Sequence, residues 1–204
     1  SSEATVSQTG DDNVSTIDQD GPFNSATVSS TGDENVSDID QTGEDNVASV
    51  TQSDDENVST IAQDGENNDA TVDQGGTLND AFITQDGINN IASVNQGGDG
   101  NTANISQTGD NDESINTQSG DGNTATVTQT GIVGEDSTIT QSGNGNTATV
   151  TQTDDGDDRD LDGDVPPAAA SIITQSGDDN TATVTQTSQS FVDPNSSTIT
   201  QSGN

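Results

Sequence analysis

The sequence predicts an all-β fold: a β-solenoid with two sheets, built from 11-residue strand–turn units at about 22 residues per coil and stacked as in cross-β structure. Three observations predict it. A glutamine recurs every eleven residues, an alternating stretch precedes each glutamine, and Gly, Asp and Asn follow it. A fixed short period indicates one structural unit stacked on copies of itself, so residues 1–204 form a single repeat array.

The strand half of each unit shows the strongest pattern. The clearest copies read Q-x-G-x-x-N-x-A-x-V-x-Q, as at 118–129 and 141–152. Their second half alternates with period two, which is typical of a strand with one buried face. Asn, Ala or Ser, Val or Ile, and Gln point inward, and the aliphatic position fails only at Asn116. Small residues beside medium ones predict a thin core between two close sheets.

The turn half, Q-x-G-x-x-N, is rich in residues that tolerate the backbone angles of tight turns. No apolar stripe with a period of 3.6 residues appears, and β-branched residues and Gly dominate, so helices are not expected.

Two kinds of unit alternate towards the C-terminus, which indicates two facing strands per coil. T-A-T-V-T-Q at 124–129 is followed by S-T-I-T-Q at 137–141, and the pair recurs twice. Insertions at 130–136, 153–170 and 187–196 each follow a T-A-T-V-T-Q unit, so we expect them on one edge of the solenoid. Seventeen strand-like units predict a length of about 40 Å and leave one half-built coil.

The core is predicted to be largely polar. Only 23% of the residues are hydrophobic, and this composition alone would indicate disorder. In a stack, however, each inward amide can bond to the same amide one coil away. The predicted stacking ladders comprise Gln8, Gln19, Gln41, Gln52, Gln63, Gln74, Gln85, Gln96, Gln107, Gln118, Gln129, Gln141, Gln152, Gln175, Gln186 and Gln201, with Asn13, Asn24, Asn35, Asn46, Asn57, Asn68, Asn79, Asn90, Asn101, Asn123, Asn146 and Asn180.

The charge excludes several classes of partner. The net charge is −36, from 37 acidic residues against the single Arg159. Nucleic acids and anionic membrane surfaces need cationic partners and are not expected. Stacked turn carboxylates should repel by roughly 0.8 kcal/mol per pair in water. Salt should therefore matter for folding, and the composition suits a halophilic habitat.

The remaining features of the sequence indicate a secreted protein. No stretch is long and apolar enough to span a membrane, and cysteine is absent. The sequence begins at Ser1 without Met, so we expect a secreted chain whose leader has been removed. Of the Asn-x-Ser sequons, Asn104 and Asn195 are the two expected to be open to glycosylation, because Asn13, Asn35 and Asn57 should point inward.

At Q-x-G-x-x-N-x-A-x-V-x-Q the chain resembles the curlin repeat family, the subunits of curli-type bacterial functional amyloid. The resemblance implies secretion as a poorly folded monomer, then templated growth into extracellular fibres of a biofilm matrix, with a nucleator or minor subunit as partner. It also implies that inward amides such as Gln41, Asn46 and Gln52 guide stacking.

One insertion is a candidate calcium site. Asp158, Asp160, Asp162 and Asp164, around Gly163, match the start of a Ca²⁺ loop, in which alternate oxygens converge on one ion. The twelfth position holds Ala169 instead of Glu, so a solvated acidic loop is the alternative. No cofactor is required by the remainder of the chain.

The function favoured by the sequence is structural: a subunit of an extracellular amyloid-like fibre that assembles with itself end to end. A monomeric Ca²⁺-stabilised solenoid stalk or adhesin module is the alternative. Ice binding by outward threonines at 124, 126 and 128 is a third, weakened by Asp38 and Asp40 on the same face. Enzymatic activity is not expected, because His, Cys and Lys are absent and carboxylate pairs are too common to mark a site.

Overall fold

The chain is all-β. The computed structural model describes residues 1–131, 134–154, 169–188 and 195–203, and these ranges contain seventeen strands and no helix. The strands are β1 (Glu3–Thr9), β2 (Val14–Asp20), β3 (Ser25–Thr31), β4 (Val36–Glu44), β5 (Val47–Ser53), β6 (Val58–Glu66), β7 (Asp69–Gln74), β8 (Asp80–Ile88), β9 (Ile91–Gly97), β10 (Thr102–Asp110), β11 (Glu113–Ser119), β12 (Thr124–Gly131), β13 (Asp136–Ser142), β14 (Thr147–Asp154), β15 (Ala170–Gly177), β16 (Thr181–Ser188) and β17 (Ser196–Gly203).

The strands form two parallel sheets that together make a β-solenoid. The odd-numbered strands form a nine-stranded sheet and the even-numbered strands an eight-stranded sheet, each in sequence order. Each strand from β1 to β15 pairs with the strand two further along, and equivalent positions face each other, as with Val6 and Val28 or Ile39 and Ile61. One coil therefore contains two strands and about 22 residues. The predicted fold class is confirmed.

The core lies between the two inner faces of the sheets. Small residues, aliphatic residues and glutamines alternate along each strand, and the aliphatic and glutamine side chains of the middle coils are fully buried. Asn116 takes the aliphatic position of β11, between Val94 and Ile139 of the neighbouring coils. Neither of its amide atoms has a hydrogen-bond partner in the described part of the chain.

The turns on the two edges share one backbone conformation. Gly32 follows the nine-stranded sheet with φ 109°, and Glu34 has φ 59°. Gly43, near the end of β4 in the eight-stranded sheet, also has φ 109°, and Asp45 has φ 58°. Glycine is favoured at the first position, because a Cβ atom on Gly65 would overlap the carbonyl oxygen of Gly87 in the next coil. Asp54 takes this position in one turn, with φ 67°.

The three insertions follow β12, β14 and β16, which are all strands of the eight-stranded sheet. The flanking strands extend one or two residues into each predicted insertion, as at Asp154 and Ala170. Residues 132–133, 155–168 and 189–194 lie outside the described ranges.

Candidate assembly site: the amide columns and the open coil ends

A continuous glutamine ladder runs through the eight-stranded sheet. In each step the side-chain Nε2 donates to the Oε1 of the glutamine in the next coil, at 2.7 to 3.2 Å. Because both partners are buried amides in identical positions, each satisfies the other. The ladder runs through Gln19, Gln41, Gln63, Gln85, Gln107, Gln129, Gln152 and Gln186.

A second ladder runs through the nine-stranded sheet. It begins at Ser30, whose hydroxyl donates to Gln52 Oε1 at 3.2 Å, and its amide steps measure 2.8 to 3.1 Å. At position 30, where the repeat would place a glutamine, serine thus provides a shorter side chain as the hydrogen-bond donor. The amide members are Gln52, Gln74, Gln96, Gln118, Gln141, Gln175 and Gln201.

The glutamines also tie the two sheets together. Gln63 Nε2 donates to the backbone carbonyl of Val47 at 2.9 Å, and Gln74 Nε2 donates to that of Val58 at 2.9 Å. Both acceptors lie sixteen residues earlier, at the start of the preceding strand in the opposite sheet. Each ladder rung therefore connects a coil to its successor and one sheet to the other.

Gln8 departs from the expected ladder. It is exposed, and its Nε2 donates to the hydroxyl of Ser15 at 2.8 Å. The facing position in the next coil is Ser30, whose hydroxyl already donates to Gln52. Among the described strands, none lies before β1 to offer the backbone carbonyl that the other glutamines use.

The asparagines form a different arrangement from the amide ladder that the sequence predicts. Asn46 Oδ1 accepts the backbone N–H of Asn68 at 3.0 Å, while Asn46 Nδ2 donates to the carbonyls of Thr42 and Gly65 at 3.1 and 3.0 Å. The side chain is short and begins the strand beside the turn, so it reaches turn carbonyls before it reaches another amide. Through these two hydrogen bonds each such asparagine links the turn of its own coil to the turn of the next coil.

The predicted asparagines divide between the two edges of the solenoid. One column precedes the strands of the eight-stranded sheet: Asn13, Asn35, Asn57, Asn79, Asn101, Asn123, Asn146 and Asn180. From Asn79 onward its members add a direct Nδ2–Oδ1 bond of 2.9 to 3.1 Å. The other column precedes the nine-stranded sheet and holds Asn24, Asn46, Asn68 and Asn90.

Two buried acids continue the second column, and sequence reasoning missed them. The backbone N–H of Asp112 donates to Asn90 Oδ1 at 3.0 Å, and that of Glu135 donates to Asp112 Oδ1 at 3.1 Å. The 22-residue spacing from Asn90 could have revealed Asp112. Burial raises the pKa of the Asp112 carboxyl, aided by Asp110 and Asp136, while hydrogen bonds from Glu135 oppose the rise.

The turn acids have a structural role that the sequence did not reveal. Asp33 Oδ1 accepts the backbone N–H of Asp11 at 2.7 Å, and Asp55 Oδ1 accepts that of Asp33 at 2.8 Å. Farther along, Asp121 Oδ1 accepts the N–H of Asp99 at 3.0 Å. A carboxylate that accepts a backbone N–H is stabilised by it, so these columns offset part of their own repulsion.

The remaining predicted sites are only partly open to structural description. Asp158, Asp160, Asp162 and Asp164 lie outside the described residues, and no acidic cluster within those residues is placed to hold a metal ion. Asn104 is half-buried on the outer face of β10. Asn195 precedes β17 of the nine-stranded sheet, and its Nδ2 donates to the Thr187 carbonyl at 3.0 Å. Because this hydrogen bond uses the side-chain nitrogen, the position is poorly suited to a glycan.

Both ends of the solenoid are open. At one end β1 and β2 have no preceding strand, and at the other β16 and β17 have no following strand among the described residues. Val6 of β1 is 48% exposed, whereas Val28, the next member of the same column, is 0% exposed. The inward aliphatic column is therefore partly uncovered at β1 in the described structure.

These features define an all-β repeat protein whose two parallel sheets are linked by columns of buried amides. The family model described as the curlin associated repeat matches residues 1–32, 15–43, 43–76, 65–98, 98–131 and 136–162. The chain belongs to this curlin repeat family. No curated protein matches it. None of the described residues forms a helix long and apolar enough to cross a membrane.

Proposed function

We propose that this chain is the structural subunit of an extracellular amyloid-like fibre and that it assembles with itself end to end. The exposed edge of one copy pairs with the opposite edge of the next through backbone hydrogen bonds, as in β-strand addition. The observation behind this proposal is the pair of continuous glutamine ladders, in which each amide bonds to the same position of the next coil, so that a further copy in register would extend both.

The family supports the location and the structural role. Curlin repeat proteins form extracellular fibres and are not enzymes, so we place this chain in a biofilm matrix or a cell-surface filament. Its main partner is a second copy of itself, and a nucleator or minor subunit would start growth. High salt favours assembly, since screening reduces repulsion between copies with a net charge of −36.

Electron microscopy of the purified chain in multimolar salt tests the proposal. We expect filaments with a repeat of about 4.8 Å along their axis, and fewer of them at low salt. Val6→Asp should block growth by placing a charge in the uncovered core. Val14→Asp is the matched control, because Val14 is 54% exposed but points outward. A monodisperse solution of short rods would contradict the proposal.

Short rods would favour the second candidate, a Ca²⁺-stabilised stalk or adhesin module. Calorimetric titration with Ca²⁺ would then compare the chain with a variant in which Asp158, Asp160, Asp162 and Asp164 are replaced by Asn. Heat that disappears in the variant would assign the site. The ice-binding candidate gains no support, because the outer column through β4 to β12 reads Asp38, Thr60, Phe82, Asn104 and Thr126.

A further inference from the structure

One part of the outer surface carries no charge. It is the outer face of β10, β12 and β14 in the eight-stranded sheet, which we call the threonine face. Each of these strands presents four outward side chains, and equivalent side chains of successive strands lie in register in four columns. β16 continues all four columns. The threonine face comprises Thr102, Asn104, Ser106, Thr108, Thr124, Thr126, Thr128, Thr130, Thr147, Thr149, Thr151 and Thr153.

The surfaces around the threonine face are acidic. On the opposite sheet, β11 and β13 begin with Glu113 and Asp136. On the same sheet, the outer sides of β4, β6 and β8 carry Asp38, Asp40, Asp64, Asp80 and Asp86. With 37 acidic residues and one arginine, two copies have almost no opposite charges with which to attract each other. A side-by-side contact should therefore use a face without carboxylates, since a carboxylate buried there would lose its hydration.

The threonine face has a regular shape that can pack against a copy of itself. Side chains repeat every ~4.8 Å along a column, and neighbouring columns lie about 6.6 Å apart along the strands. Because threonine is branched at Cβ, its χ1 angle is restricted and the grooves between columns are well defined. Segments 124–130 and 147–153 both read T-A-T-V-T-Q-T. Seven residues of high β-propensity without charge, Pro or Gly are typical of segments that interdigitate in dry pairs of sheets.

We propose, resting on the proposed fibre, that two filaments pair side by side through their threonine faces. The occupant of the face is a second copy of this chain, and the contact is isologous, so the same columns of both copies interdigitate. The threonine methyl groups bury apolar surface between the sheets. A hydroxyl both donates and accepts hydrogen bonds, so hydroxyls of the two copies satisfy each other without any charged partner.

The size of the threonine face determines when pairing occurs. Four outward positions on three or four strands cover roughly 300–400 Å² per copy, from the strand spacing and the rise per residue. Stable protein interfaces bury about 800 Å² per partner, so two single copies should separate. A filament carries many such faces, and once one contact forms, the next ones are held close together and their affinities combine. Pairing should therefore follow filament growth rather than start it.

The mass per length of the filaments, measured by scanning transmission electron microscopy, tests the pairing. Filaments are grown in multimolar NaCl with a chelator, so that divalent cations cannot bridge acidic faces. We expect filaments of the unmodified chain to have twice the mass per length of Thr126→Asp/Thr128→Asp filaments, because carboxylates at the centre of the face resist burial. The matched control, Thr138→Asp/Thr140→Asp, adds the same charge to the outer face of β13 in the opposite sheet. Its filaments should stay paired.

A second variant of the same face, Thr149→Asp/Thr151→Asp, should also halve the mass per length. Unmodified filaments with the mass of a single solenoid would overturn the pairing and leave the hydroxyls in contact with water. Equal mass per length for all four chains would overturn it as well. Loss of filaments from both variants of the face, with the control intact, would assign the face to growth instead of pairing. If the unmodified chain forms no filaments, the proposed function fails too, whereas single filaments contradict only the pairing.

Discussion

The side-chain amide of Gln63 donates to the side-chain carbonyl of Gln85 at 2.8 Å, across one coil of the solenoid. Gln85 in turn donates to Gln107 at 2.9 Å and to the Asp69 carbonyl at 3.0 Å. It is fully buried. Each inner glutamine thus uses both ends of its amide, so the loss of one leaves groups unpaired in two neighbouring coils and the opposite sheet.

We expect Gln85→Leu to lower the free energy of unfolding by about 3 kcal/mol, although leucine is apolar and of similar size. The substitution removes the hydrogen-bond donor of the Gln107 side-chain carbonyl and of the Asp69 backbone carbonyl. An unsatisfied buried polar group costs about 1–3 kcal/mol. Urea denaturation measures the change. Thr84→Ala, on the outer face of the same strand, should change stability by less than about 0.5 kcal/mol. Equal effects of the two variants would contradict a role for the ladder.

Asn116→Val should stabilise the fold by about 1–2 kcal/mol. The Asn116 amide is buried in an aliphatic column without a hydrogen-bond partner among the described residues, and valine removes that desolvation cost. The reverse change one coil earlier, Val94→Asn, should destabilise by a similar amount. Thermal denaturation of both variants provides the check, and a less stable Asn116→Val chain would show that the amide has a partner.

Asp112 should give the stability a dependence on pH. Its pKa is raised in the folded chain, so folding favours its protonated form. This contribution is fully present below the ordinary aspartate pKa of about 3.9 and is lost as the pH rises through the raised value. Asp112→Asn keeps the position neutral and should raise the denaturation midpoint at pH 7 but have little effect near pH 3.5. Asp38→Asn removes the same charge from an exposed position and is the control. An increase in the denaturation midpoint that is the same at pH 3.5 and pH 7 would contradict a raised pKa for Asp112.

Gly65→Ala should destabilise the solenoid by about 3 kcal/mol or more. Gly65 has φ 118°, and a Cβ atom there would overlap the Gly87 carbonyl oxygen in the next coil. Gly97→Ala is the matched control, because a Cβ at Gly97 meets nothing within 4 Å. Circular dichroism during urea titration should show a large shift for the first variant and a small one for the second. Similar shifts would show that the coils can move apart to accept a methyl group.

The 11-residue period was enough to predict the strands, the parallel register and the two-sheet solenoid, because stacking forces identical positions into contact. It was also enough to locate glutamines such as Gln63 in the core. It could not predict the asparagine bonds, because Asn46 donates to turn carbonyls that come within reach only when the turn is folded. The hydrogen bond from the Asp11 backbone N–H to the Asp33 carboxylate was missed for the same reason. The composition shows that the acidic residues repel each other, but it does not show that a backbone N–H lies beside them.

The pattern of positive φ angles that the two turn edges share has a genetic consequence. A recombination event that removes one 11-residue unit, or thirty-three base pairs, would transfer every later strand to the opposite sheet and reverse the edge on which the insertions emerge. An event that removes two units would restore the original assignment, much as two compensating frameshifts restore a reading frame. The gene can therefore lengthen or shorten in pairs of units without changing the surface that the solenoid presents to its surroundings.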